Sequence, residues 1–371
     1  MLVAFHDLRF AKGRFALMGA TVALLTLLVV MLSGLTAGLA RDSASAVSDL
    51  PAERLVFAAP PAGEAVSFTA SALDAATVRA WAAVPGVRRA DPLGVATAKA
   101  VAPGGRAVVT VFGVAPGAGL APAEERLTAA RPGAAADAGR RPRGRVVLSS
   151  GAAAALRAEV GATVRLSGRP ATVAAVAGAA SHSHTPVVWT SLAEWRALAP
   201  PGSGAATALA LDAGPRADLA AADRRLGTAT VTRAAARDAI PSYRSERTSL
   251  ELMRALLLAI SALVVGAFFT VWTIQRSREA AVLAALGAAP RRLLADALAQ
   301  ALALLVASTA LGAGAALAAG AAAARRVPFA LDAATVLAPA AALVALGLLG
   351  AALATRRVVA ADPLTALGAA R

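Results

Sequence analysis

His182 and His184 stand two residues apart, and on an extended segment alternate side chains share one face, which is how a pair of metal-ligating imidazoles begins. Two imidazoles without a third donor leave a divalent cation short of ligands. The favoured reading of the same residues, beside Pro186, is two polar loop histidines. No cysteine occurs, which excludes a disulfide framework, a thiolate metal site and a cysteine nucleophile. Neither lysine, Lys12 or Lys99, sits in a G-x-x-x-x-G-K-[ST] motif, so phosphates are not cradled in the P-loop manner. There is no H-E-x-x-H, no G-x-S-x-G and no pair of carboxylates inside an apolar span that would mark a proton relay. The expectation is a non-catalytic chain with no metal and no permanently bound cofactor.

The elements that position these residues follow from composition. Of 371 residues, 58% are hydrophobic and 16% charged, against about 25% charged in an ordinary soluble domain. The net charge of +15 is scattered arginine, and aromatics make up only 4%, so the basic clusters interleaved with stacking rings that a nucleic-acid partner needs are missing.

Crossing a hydrocarbon core takes roughly 20 apolar residues as helix. Four stretches qualify: 15–40, 255–274, 297–324 and 333–354. The first has a competing reading as a signal peptide, with Arg9, Lys12 and Arg14 as its basic region, but it is longer than the roughly 7–15 residues of a signal core. The third is rich in alanine and glycine. Its Gly312, Ala316, Gly320 and Ala324 recur every fourth position, a small-residue face on which membrane helices pack closely. Arginines and lysines beside the spans (Arg9, Lys12, Arg14, Arg276, Arg278, Arg291, Arg292, Arg356, Arg357 and Arg371) outweigh those on the other side, which places both termini in the cytoplasm. Residues 41–250 are then extracytoplasmic.

That large segment reads as α+β. Helical spacing over Leu73–Val84 precedes strands at Gly94–Ala102 and Ala107–Val114; later come a strand at Thr207–Leu211, a helix at Arg216–Leu226 and a strand at Thr228–Thr232. Between these halves lies an inserted lobe of about 116–200. It has strands at Val146–Ser149, Val164–Leu166, Thr172–Val176 and Val187–Thr190 and a helix at Gly151–Glu159. Trp189 and Trp195 read as packing residues of that lobe. The fold class expected is an α-helical membrane protein with four transmembrane helices and a two-lobed α+β extracytoplasmic domain between helices 1 and 2.

Two short segments flank the spans. Residues 1–14 alternate Leu2, Val3, Phe5, Leu8 and Phe10 with polar residues, an amphipathic helix for the inner membrane interface or for a docking partner. Residues 275–296 carry Val282, Leu283 and Leu286 on one helical face, then Gly287 as a C-cap and Pro290 opening the next helix. The apolar face needs a cover, either lipid headgroups or another protein. Residues 355–371 form a basic tail.

The layout of one span, a large external domain and three further spans, with R-E-x-x-x-x-x-x-L-G-A after the second, resembles the FtsX/MacB-like permeases of ABC transporters. Asp7 to Gly19 is similar to the N-terminus of the haem-efflux (HrtB-type) and DevC-like branches. The resemblance implies a homodimer in the cell membrane and a cytoplasmic ATPase partner that consumes ATP. It also implies a coupling loop formed by Arg278, Glu279, Val282, Leu283, Leu286, Gly287 and Ala288. Gly34 and Gly38 would serve the dimer contact or packing within one chain, and Gly312 and Gly320 helix packing. Haem as substrate would take ligands from Met31, Glu246, Glu251 or Met253. The function implied is efflux of a hydrophobic or amphiphilic compound from the outer leaflet; the alternative is mechanotransmission to a cell-wall hydrolase without transport.

Overall fold

The structure is a computed structural model that describes residues 12–128, 144–275, 290–324 and 327–359. In chain order its elements are α1 (Lys12–Ser48), β1 (Arg54–Ala58), α2 (Ala75–Ala82), β2 (Val87–Ala102), β3 (Gly105–Val114) and α3 (Glu125–Thr128). There follow β4 (Gly144–Leu148), α4 (Ser150–Leu156), β5 (Thr163–Leu166), β6 (Arg169–Val176), β7 (Ser181–His182), β8 (Thr185–Ser191) and α5 (Leu192–Leu198). The chain continues through β9 (Ala208–Ala213), α6 (Leu219–Leu226), β10 (Thr228–Thr232), α7 (Arg233–Ala236), α8 (Pro241–Gln275), α9 (Pro290–Ala323) and α10 (Ala333–Val359). Two compact units result: Met1–Leu39 with Thr248–Arg371, and Ala40–Arg247.

Among the described residues of the helical unit, four helices are long and apolar enough to cross a membrane. They outrun the apolar stretches. α1 continues through the polar 41–48 segment, where no proline or glycine interrupts it before Pro51, and α8 opens on Pro241, whose fixed φ suits a first helical position. Buried Met18, Val22, Val265, Phe269, Leu305 and Ala351 form one seam between the four helices. Large side chains such as Leu24, Leu263, Leu311 and Leu349 face outward, which is stable only in an apolar solvent. Several hydroxyls inside the spans return to their own backbone, as Thr26 does to Val22 O at 2.8 Å and Thr273 to Phe269 O at 2.7 Å, whereas the buried Thr309 Oγ1 has no partner among the described residues.

In the α+β unit, ten strands form one sheet in the order β10-β1-β9-β2-β3-β8-β4-β6-β5, with β7 on β8. Because β5 also pairs with β2, six of these strands close into a ring, and β2 continues beyond it into the open part beside β9. The two lobes therefore share a strand. The 116–200 segment is not a separate sheet: its β8 pairs in parallel with β3 from Thr110↔Val187 to Val114↔Ser191, and its β5 pairs with β2. Trp195 shows why the halves fit. Its fully buried indole lies over Gly94 and Gly113, which are register partners on β2 and β3, and a Cβ at either glycine would collide with the ring. Helix starts are fixed by side-chain caps, with Asp74 accepting from Thr77 N at 2.7 Å and Asp218 from Ala221 N at 2.9 Å.

Candidate functional site

The β7–β8 turn separates the two histidines instead of pairing them. Ser183 and His184 both adopt left-handed backbone, at φ 51° and 59°, so the strand alternation that would put both imidazoles on one face is lost. His182 turns into the core, 5% exposed, and meets Phe68 and Phe112 edge-on at 5.3 and 5.7 Å between ring centroids. Its Nε2 has no hydrogen-bond partner among the described residues, and burial pushes its pKa down to about 4.

His184 has the opposite surroundings. Its Nδ1 lies 3.0 Å from Asp42 Oδ2 on α1, and its Nε2 lies 2.8 and 3.0 Å from the two carboxylate oxygens of Glu246 on α8. Partial burial pulls its pKa down, but the hydrogen bonds to Asp42 and Glu246 and then their charges outweigh this and raise it above the ordinary value. Only imidazolium can donate from both nitrogens at once. Hydroxyls complete the junction: Ser183 Oγ is 2.9 Å and Ser43 Oγ 3.4 Å from Ser242 Oγ, and Ser45 Oγ accepts from Ser181 N at 2.9 Å. The turn thus joins the parts of α1 and α8 that belong to the α+β unit. A ring's two nitrogens point apart, so these carboxylates do not converge on one cation, and among the described residues no group of three or more such donors is placed to hold a metal.

The expectation of two histidines on one face is therefore corrected, and that of two polar loop histidines holds for His184 in the turn but not for His182 in the core. Sequence reading named both Glu246 and His184 but not their pairing, because nothing local links residues 62 positions apart. Of the other substrate candidates, Met31 is half-buried against the cluster of Val30, Ala316 and Val336, whereas Met253 and Glu251 are exposed on α8. Gly34 and Gly38 face the segment after α9: Gly34 O accepts from Ala330 N at 3.0 Å, and a Cβ on Gly38 would run into the Pro328 carbonyl. Gly320 lies against Phe329 and Leu331, and Gly312 against Ala23 and Thr26 of α1. Arg278, Glu279, Val282, Leu283, Leu286, Gly287 and Ala288 lie outside the described residues, as do residues 1–11 and 360–371.

Four membrane-length helices among the described residues, with an α+β unit between the first and second in the chain, define a polytopic membrane protein with a second folded unit. Residues 15–229 match the MacB-like periplasmic core domain and residues 252–363 the FtsX-like permease C-terminal domain. The chain belongs to the FtsX/MacB-like family of ABC transporter permeases. Among curated proteins, the hemin transport system permease protein HrtB of Staphylococcus epidermidis (strain ATCC 12228) is 29% identical over 129 residues, 35% of this chain and 37% of that protein. HrtB of Staphylococcus haemolyticus (strain JCSC1435) is 32% identical over 142 residues, 38% of this chain and 40% of that protein. The matches thus span about two fifths of those relatives' length. Among solved structures, the extracellular domain of the noncanonic ABC-type transporter YknZ from Gram-positive bacteria is matched at TM-score 0.33 and 14% identity, over 48% of this chain and 97% of that one. The periplasmic region of MacB from Actinobacillus actinomycetemcomitans is matched at TM-score 0.34 and 12% identity, over 52% and 94%.

Proposed function

We propose that this chain is the membrane subunit of an ABC exporter that moves a hydrophobic or amphiphilic compound, with haem as the leading substrate, out of the membrane's outer leaflet. The observation that carries the reading is the pairing, in one chain of this family, of a four-helix membrane unit with local similarity to hemin transport permeases. ATP is hydrolysed by a separate cytoplasmic subunit, a reading supported by the family of ABC transporter permeases to which the chain belongs. That subunit docks on Arg278 to Ala288, and closure of two ATPases in a permease homodimer shifts the later helices against α1. Both termini face the cytoplasm, and the α+β unit faces outward. Of the ligand candidates, Glu251 and Met253 are the ones with exposed side chains on α8, while Glu246 is engaged by His184.

The test expresses the chain with and without its ATPase in a haem-challenged host and measures survival and cell-associated haem. The reading expects protection that needs both subunits. Absence of protection, together with altered wall hydrolysis when the pair is deleted, would replace efflux by mechanotransmission.

A further inference from the structure

A cleft of about 660 Å³ opens in the α+β unit, lined among others by Ser48, Glu53, Asp212, Thr232, Arg233 and Arg237. Its volume falls in the range of about 300–1,000 Å³ typical of small-molecule sites. The charges that line it are not balanced alike. Arg88 takes Asp212 by two hydrogen bonds, Nε to Oδ2 at 3.2 Å and Nη2 to Oδ1, and reaches Glu53 at 3.5 Å. Asp212 is held below the ordinary carboxylate range by that hydrogen bonding from Arg88. The two carboxylates thus share a cation.

Arg233 and Arg237, by contrast, have no carboxylate within ion-pair distance among the described residues. Each spends an N–H on a backbone carbonyl: Arg233 Nη1 donates to Leu50 O at 2.8 Å, and Arg237 Nε to Ala234 O at 3.0 Å. A carbonyl accepts a hydrogen bond without neutralising the cation. The same contacts hold the groups in place. The backbone N–H of Arg233 also donates to Glu53 O at 3.1 Å, and the Arg237 guanidinium carbon stands 5.9 Å from the centre of the buried Tyr243 ring. Two positioned guanidinium forks with free donors suit an oxyanion, which each can take bidentately at reduced ordering cost.

We propose that this cleft is a binding site for a molecule bearing a single carboxylate or phosphate, seated on Arg233 and Arg237. The exposed carboxylate of Glu53, beside Arg233, repels a second anionic group and favours a neutral or cationic remainder. Such an oxyanion reaches the cleft either on a soluble molecule or on a lipid headgroup.

The full chain in phosphatidylcholine nanodiscs is titrated with glycerol 3-phosphate by calorimetry, beside the R233Q/R237Q double variant, a charge-keeping R233K/R237K variant and an R169Q control on β6. The proposal expects saturable binding that R169Q retains, that R233K/R237K weakens and that R233Q/R237Q loses by tenfold or more. Loss of the signal in phosphatidylglycerol nanodiscs assigns the site to a headgroup; an unchanged signal assigns it to a soluble ligand. Absence of saturable binding, or equal binding by R233Q/R237Q, overturns it. If the double variant does not fold, R237Q alone, which gives up one carbonyl bond and the ring contact, answers the same question.

Discussion

His184 Nε2 lies 2.8 Å from Glu246 Oε1, across 62 positions of sequence, while its other nitrogen holds Asp42. Protonation completes both bonds. The folded pKa is raised, so the bridge contributes stability that is fully present below the ordinary histidine value of about 6.5 and is lost as pH rises through the folded value. Thermal unfolding of wild type and H184Q is expected to differ most at pH 6 and to converge by pH 9. A gap independent of pH would contradict the bridge.

His182 carries the opposite sign. Its pKa is pushed down to about 4 by burial, so its contribution is fully present above about 6.5 and is lost as pH falls toward 4. The loss amounts to about 3 kcal/mol over that window, since one pKa unit is about 1.36 kcal/mol. H182L removes the titrating group and the partnerless Nε2, and its melting temperature is expected to fall less between pH 6.5 and 4.5 than that of wild type.

Packing in the helical unit is tested at glycines. G38A places a methyl against the Pro328 carbonyl and is expected to destabilise by about 1–3 kcal/mol, the usual cost of overpacking. G314A, on α9 with nothing within 4 Å of its Cβ, is expected to be neutral or stabilising by about 1 kcal/mol through helix propensity. Denaturation in detergent micelles separates the two.

The joint between the lobes is tested at Trp195. W195A leaves a void over Gly94 and Gly113, and a cost of about 3–5 kcal/mol is expected from urea unfolding.

What the sequence made readable was local. Thr228–Thr232 reads as a strand and is one, and helical spacing over Leu73–Val84 matches α2 to within its frayed ends, because periodicity and caps act over a few residues. β1 escaped notice because Arg54–Ala58 is a short run buried between β10 and β9, without the alternation that marks a half-exposed strand. Ring closure rests on two residue pairs between β2 and β5, which no local pattern announces. The histidines were misplaced for a physical reason as well: spacing of two implies one face only on extended backbone, and the left-handed turn at Ser183 and His184 breaks that premise. Helix ends ran past the apolar stretches because hydropathy marks where lipid contact ends, whereas a helix stops where backbone chemistry stops it, as at Pro51.

The central claim is tested most directly by ATP hydrolysis. The permease, reconstituted in proteoliposomes with its ATPase subunit, is assayed with and without hemin, beside an L283D/L286D variant of the segment assigned to ATPase docking. The account predicts hydrolysis that hemin accelerates in wild type and not in the variant. Hydrolysis indifferent to hemin and unchanged by the variant would contradict both the cargo and the coupling route.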